Sequence, residues 1–252
     1  MLHLLTRTAA HPRPYERASQ IAYYLKQHKP KSKVIILDPK TSFTKQALFE
    51  QAWTELYGYK TSNAMIEWWS GDTKAAGVVA VDVASKTAIT QFGDRVQGAV
   101  LNVIPPQKAG KLAFDADLVD STGWCPVNKL TFESTRHPYV HVIGDACMAD
   151  SLPKSGFAAN SEGKVCAAAI YALFNGQEVE SPSFSNGCYS LVGKDYAISV
   201  VGVYRLSDDG KLVESIPGSG GVSSSTATAQ ERLFDASYAY SWYNNFTQDV
   251  FR

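Results

Sequence analysis

The stretch that decides the fold is His141-Val142-Ile143-Gly144-Asp145-Ala146-Cys147, followed by Pro153-Lys154-Ser155-Gly156-Phe157-Ala158-Ala159-Asn160. Tyr139 to Ile143 reads as a buried strand with Val140, Val142 and Ile143 as its β-branched spine. Gly144 permits a tight bend, and Asp145 then stands at the strand's carboxyl end, where open α/β sheets bind their ligands. From Ser155 to Phe174 the pattern is helical and rich in alanine, so a backbone or a flat ring can approach closely. The start of that helix offers N–H groups and a positive dipole end to an anion. An acceptor for a ribityl or ribose hydroxyl followed by such a dipole is what a flavin dinucleotide needs. Asp145 reads equally well as a turn residue or helix cap.

Working outward, 252 residues with 45% hydrophobic and 19% charged side chains suffice for one or two domains with a sizeable core. The formal net charge of zero argues against a nucleic-acid surface. The longest apolar stretch, Val165 to Phe174, is too short to span a bilayer, and Met1 to Ala10 lacks the apolar run of an export signal. Cys125, Cys147, Cys166 and Cys188 form no CxxC pair and no His/Cys cluster, so no metal site is expected and small buried hydrophobes are their default reading.

Tyr15 to His28 reads as a helix with Ala18, Ile21, Ala22 and Leu25 on one face, ended by Lys29-Pro30. Val34 to Leu37 is a continuous apolar strand closed by Asp38. Helix, short connection, buried strand and terminal acid make the second half of a βαβ nucleotide-binding unit. No GxGxxG precedes Tyr15 and the first ten residues contain no glycine. The expectation is therefore a chain that begins inside a nucleotide-binding domain whose first strand is missing.

Further on, Thr44 to Leu56 is a helix, Ala64 to Trp68 a short strand, and Val78 to Val83 with Thr87 to Phe92 a hairpin around Ser85-Lys86. Gly93-Asp94-Arg95 is a turn, Ala99 to Ile104 a buried strand halted by Pro105-Pro106, and Ala109 to Ala113 the start of a short helix. Trp53, Trp68 and Trp69 read as packing. Beyond Gly176, strands over Cys188 to Val192 and Tyr196 to Tyr204, a Ser/Thr/Gly-rich loop from Pro217 to Ala229 and a helix from Ala236 to Val250 make a small α+β cap.

Seven segments occur together and in order: Pro14-Tyr15-Glu16-Arg17-Ala18-Ser19, Val103-Ile104-Pro105-Pro106-Gln107, Gly123-Trp124-Cys125-Pro126-Val127, Val142 to Cys147, Pro153-Lys154-Ser155-Gly156, Cys188-Tyr189-Ser190 and Tyr240-Ser241-Trp242-Tyr243-Asn244-Asn245. From Pro14 to Phe251 the chain closely resembles the flavoprotein subunit of flavocytochrome c sulfide dehydrogenase. The resemblance implies an α/β protein with tandem Rossmann-like, glutathione-reductase-type nucleotide-binding domains, incomplete at the amino terminus, and a small α+β carboxyl-terminal domain. It divides the chain into residues 14–98, a second nucleotide-binding-like domain without its first strand and without a role for NAD, residues 99–176, the returning half of the FAD domain, and residues 177–252, the carboxyl-terminal flavin-binding domain. It further implies a periplasmic enzyme that oxidises sulfide to sulfur or polysulfide at FAD and passes electrons singly to a cytochrome c subunit.

On this resemblance the catalytic candidates are Cys188, as half of a redox disulfide, and Glu16, as acceptor of a proton from hydrogen sulfide. From residues alone Glu16 reads as a first-turn acid favoured by the helix dipole. The cofactor candidates are Gly144, Asp145, Lys154, Ser155, Gly156, Ala158 and Trp242, with Trp242 covering the flavin or the haem-subunit face or else packing in the core. Two departures stand out. The glycine fingerprint is missing, and the position of the cysteine that the family pairs with Cys188 falls at Ala10. Ala9-Ala10-His11-Pro12 back-translates in a shifted frame to Cys-Pro-Pro, which suggests a frameshifted or internally started fragment. The expectation for the isolated chain is no turnover of sulfide. The other readings are a sulfide:quinone reductase-like or related pyridine nucleotide-disulfide oxidoreductase, and a remnant that binds a partner without flavin.

Overall fold

The computed structural model describes residues 2–4, 13–71 and 77–251. Ala10, the position facing Cys188 in the expected disulfide, lies outside them. The chain forms two compact units from discontinuous stretches. One is Met1–Gln107 with Tyr189–Ile198 and Ser223–Tyr240; the other is Lys108–Cys188 with Ser199–Val222 and Ser241–Arg252.

The first unit opens with β1 (Leu2–Leu4), α1 (Arg13–His28), β2 (Val34–Leu37), α2 (Gln46–Tyr57) and β3 (Ile66–Trp69). An antiparallel sheet of β4 (Val78–Asp82), β5 (Thr87–Thr90) and β6 (Arg95–Gln97) follows, then β7 (Leu101–Val103). Strands β3, β2, β1 and β7 form one parallel sheet in that order. The first strand expected to be missing is present. Leu2–Leu4 lies between β2 and β7, with Leu2 opposite both Ile35 and Leu101. Three residues without a glycine-rich turn are too faint a signal to read from sequence, and it is pairing on both sides that defines them as a strand. Val34-Ile35-Ile36-Leu37 sits inside this sheet, as its unbroken apolar run requires. The expected buried strand at Ala99 to Ile104 is shorter and lies at the sheet's edge, so Val103 is 47% exposed.

Helix α1 tolerates Pro14 because first-turn N–H groups have no intrahelical acceptor. Its buried residues Tyr15, Ala18, Ser19 and Ala22 face an aromatic core of Phe43, Phe49 and Trp53. Tyr15 stacks on Phe43 with ring centroids 3.5 Å apart. The buried Trp53 indole donates to Ser19 Oγ at 2.8 Å, and that hydroxyl donates to the Tyr15 carbonyl at 2.7 Å, so neither polar group is lost in the core. Helix α2 ends on Gly58 at φ +63°, whose N–H reaches the Trp53 carbonyl.

The second unit contains α3 (Lys111–Asp115), a short 3-10 turn at Gly144–Ala146 and α4 (Gly156–Phe174). Strands β8 (Ser183–Gly193) and β9 (Tyr196–Leu206) form a hairpin whose tip, 189–198, belongs to the first unit. Strands β10 (Val213–Ser215) and β11 (Gly221–Val222) pair antiparallel with β9, and α5 (Ala229–Phe251) closes the chain.

The expected buried strand from Tyr139 to Ile143 does not form. Tyr139 has φ +64° and is 92% exposed, and Val140 and Ile143 are exposed too. Pro138 supplies no N–H, and the Tyr139 N–H is taken by the Glu133 carboxylate at 2.7 Å. The segment then bonds to the irregular stretch before it, with Ser134 N–H on the Val140 carbonyl and Val142 N–H on the Phe132 carbonyl. Asp145 accordingly stands in a tight turn, not at the carboxyl end of a sheet strand. Among the described residues no helix is long and apolar enough to cross a membrane and no His/Cys/Asp/Glu group has metal-binding geometry.

Candidate functional site

In the second unit the candidate residues surround the turn at 144–147. Gly144 adopts φ +72°, which a side chain would strain. Two groups hold this turn. Glu162, on the buried face of α4 and only 3% exposed, accepts the Gly144 N–H at 2.5 Å and the Cys147 thiol at 3.7 Å. Burial pushes the Glu162 carboxyl up to about 7, against the opposing pull of those bonds and of the Lys154 charge. Lys154 donates to the carbonyls of Asp145 at 2.7 Å and Cys147 at 2.6 Å, with its ammonium 4.2 Å from the Trp124 ring centroid. The Asp145 side chain is left at the surface.

Ser155 caps α4, accepting the Ala158 N–H at 3.0 Å and donating to Asn186 Oδ1 at 2.5 Å. Ala158 therefore presents neither its amide nor its fully buried methyl to a ligand. Trp242 stacks on Phe157 and Phe246, and a methyl added at Gly156 would lie 3.7 Å from its ring in ordinary contact. The first turn of α4 carries no acid, so its dipole is not offset from within the helix. Exposed carboxylate, helix start and flanking aromatic fit an anionic, hydroxyl-bearing ring compound such as a flavin nucleotide.

In the first unit Glu16 projects from the first turn of α1, where its Oε1 accepts the Leu191 N–H of β8 at 2.9 Å and the Gln20 amide at 3.4 Å. Burial raises its carboxyl above the ordinary value, while the Leu191 amide, the Lys45 charge, the Ser190 hydroxyl and Arg13 draw it back. Asp38, at the end of β2, is fully buried. It accepts the Tyr15 hydroxyl at 2.5 Å, the Trp68 indole at 3.1 Å, and the Lys40 amide and ammonium at 3.0 and 2.7 Å. An acid so occupied has no capacity left for a ribose hydroxyl, which is its task in dinucleotide-binding domains. Cys188, which ends the 108–188 stretch of the second unit, is a half-buried thiol on β8.

Glu162 and Lys45 were not singled out from sequence. Glu162 carried a readable signal, because helical spacing puts it between Ala158 and Cys166 on an apolar face. Lys45 carried none.

Residues 9–105 match the central domain of the sulfide dehydrogenase (flavocytochrome c) flavoprotein chain, and residues 180–251 match the flavin-binding domain of flavocytochrome c sulphide dehydrogenase. The chain carries the central and flavin-binding domains of the flavocytochrome c sulfide dehydrogenase flavoprotein family. Its mixed α/β fold is similar to that of the sulfide:quinone oxidoreductase of Aquifex aeolicus, with a TM-score of 0.59 at 13% identity over 98% of this chain and 58% of that one. A ferredoxin reductase from Rhodopseudomonas palustris gives 0.52 at 13% identity over 78% of this chain and 46% of that one. Putidaredoxin reductase in covalent complex with putidaredoxin gives 0.51 at 13% over 91% and 57%. The chain thus spans between about half and three fifths of the solved relatives it matches. The matched domain at 180–251 is described as flavin-binding, which supports a flavin cofactor.

Proposed function

We propose that this flavocytochrome c sulfide dehydrogenase-family chain serves the oxidation of sulfide at FAD, with electrons passed to a cytochrome c subunit in the periplasm. The observation that carries the reading is the pair of domain matches at 9–105 and 180–251, within which Glu16 and Cys188 both fall. Bound FAD would supply two-electron acceptance from sulfide and one-electron release to haem c. The balance is HS⁻ → S⁰ + H⁺ + 2e⁻.

The chain's own residues have these roles. Glu16 takes the proton of H₂S onto its carboxylate and leaves HS⁻, and its burial makes it a stronger base than an exposed glutamate. Cys188 contributes the sulfur of the reacting centre. Asp145 would accept a hydroxyl of the ribityl or ribose chain, and the Gly156 and Phe157 amides of α4 with the Lys154 charge would hold the anionic portion. Gly144 and Glu162 set the turn that aims Asp145. Trp242 would wall the ring.

The test is to purify the protein from its own host with whatever subunits accompany it, record its visible absorbance and add sulfide, then oxidised cytochrome c. Flavin should co-purify, bleach on sulfide and recover with cytochrome reduction. A protein without flavin, or a flavin that sulfide leaves oxidised, overturns the reading.

A further inference from the structure

Lys45 is an unusual residue in the first unit. It is only 9% exposed, in a class that is rarely buried unless paired. Its backbone sits at φ +63°, ψ +24°, a left-handed conformation that a long side chain adopts at a cost, just before the first turn of α2. The side chain is not an outer ornament of that helix. Its ammonium donates to the Ser190 hydroxyl at 2.9 Å and to the Ile198 carbonyl at 3.4 Å, on the two strands of the β8–β9 hairpin tip, and it lies 5.9 Å from the Phe49 ring centroid.

Ser190 is fully buried. With the Lys45 ammonium donating to its oxygen, the hydroxyl hydrogen is free to be given to an acceptor elsewhere, and the acceptor beside it is the Glu16 carboxylate. Glu16 is fixed at the same strand by the next residue's amide, Leu191 N–H at 2.9 Å. Ammonium, hydroxyl and carboxylate therefore stand in series, contributed by the loop before α2, by β8 and by α1. The groups that face Glu16 are Lys45, Ser190 and the Leu191 amide from the other elements, and Arg13 and Gln20 from its own helix.

We propose that Lys45 is a positioning residue which, through Ser190, orients the half-buried Glu16 carboxylate and favours its ionised form. This rests on the reading of Glu16 as the proton acceptor for sulfide. The physical logic is that burial disfavours the ionised form of Glu16, which is the form able to take a proton. A buried cation nearby draws the carboxyl back towards the charged form, while the intervening hydroxyl keeps a direct ion pair from locking the carboxylate's reactive oxygen. No proton has to leave Lys45. When Glu16 is protonated, the Ser190 hydroxyl can turn to accept from it, so the series adapts to both states without losing a hydrogen bond.

The experiment follows the Glu16 carboxyl carbon by NMR in the full chain, labelled at glutamate and assigned with E16Q, through a pH titration of wild type, K45M, K45R and S190A. The Glu16 midpoint should move to higher pH in K45M and in S190A and stay near wild type in K45R. S190A keeps the ammonium and changes little volume, so it decides the matter should K45M fail to fold. A Glu16 midpoint that is the same in S190A and wild type overturns the proposal, whatever the protein does with sulfide. The separate reading of Glu16 as base is judged by the pH profile of sulfide-dependent flavin bleaching. If that profile does not follow the NMR midpoint across the variants, Glu16 is not the base, although Lys45 still sets its charge.

Discussion

The Gly144 amide donates to the Glu162 carboxylate at 2.5 Å, so the turn carrying Asp145 is tied to the buried face of α4, eighteen residues further along the chain. One buried acid thus links the turn carrying Asp145 to the helix whose start belongs to the same candidate site.

This link makes stability depend on pH. The Glu162 carboxyl rises from 4.5 to about 7 on folding, chiefly through burial. The folded state therefore holds a proton that the unfolded state releases between about pH 4.5 and 7. The stability associated with that proton is fully present below about 4.5 and lost as pH rises through about 7, on the order of 3 kcal/mol across the window. Glutamine at this position accepts the Gly144 amide without titrating. Urea midpoints of E162Q should decline less than those of wild type between pH 5 and 8; parallel declines would remove Glu162 from the account.

Gly144→Ala and Asp145→Ala should separate strain from recognition. The first puts a side chain at φ +72° with its methyl 3.4 Å from Ala159 Cβ, and should cost about 1–2 kcal/mol of stability. The second removes a surface carboxylate and should leave stability within about 0.5 kcal/mol while lowering flavin retention. Thermal unfolding and flavin content of both variants are the measurements. Full flavin retention in the Asp145 variant would make it a turn residue only.

Tyr15→Phe removes the hydroxyl that donates to the fully buried Asp38. A lost hydrogen bond to a buried charge should cost about 1.5–3 kcal/mol. Denaturant unfolding checks this, and a change under about 0.5 kcal/mol would mean that Trp68 and Lys40 satisfy Asp38 alone.

Cysteine labelling of the native protein should be selective. Cys125, Cys147 and Cys166 are buried, and burial with the neighbouring Glu162 charge pushes the Cys147 thiol up to about 12, far from its reactive thiolate form. Cys188 is half-buried on β8. Mass spectrometry after brief maleimide treatment should find Cys188 modified first, and C188S should abolish the early product. Equal modification of Cys147 would contradict the buried turn.

The sequence by itself determined the elements whose patterns are local. The α1 face of Ala18 and Ala22, the unbroken Val34–Leu37 run, the Ser155-capped α4 and the β8–β9 hairpin were legible because periodicity, caps and turn residues act over a few positions. It also identified Gly144 as a turn, since only that residue type takes its φ freely. Tertiary structure decided the rest. The β-branched run at 140–143 lost its strand because Pro138 and the backbone at 132–134 competed for its hydrogen bonds. Leu2–Leu4 became a strand only because two others flank it. Glu16 meets the Leu191 amide across 175 positions, and Lys45 reaches Ser190 across 145. Partnerships at that separation leave no period and no spacing in the chain, because the free energy that forms them comes from burial after the elements have packed.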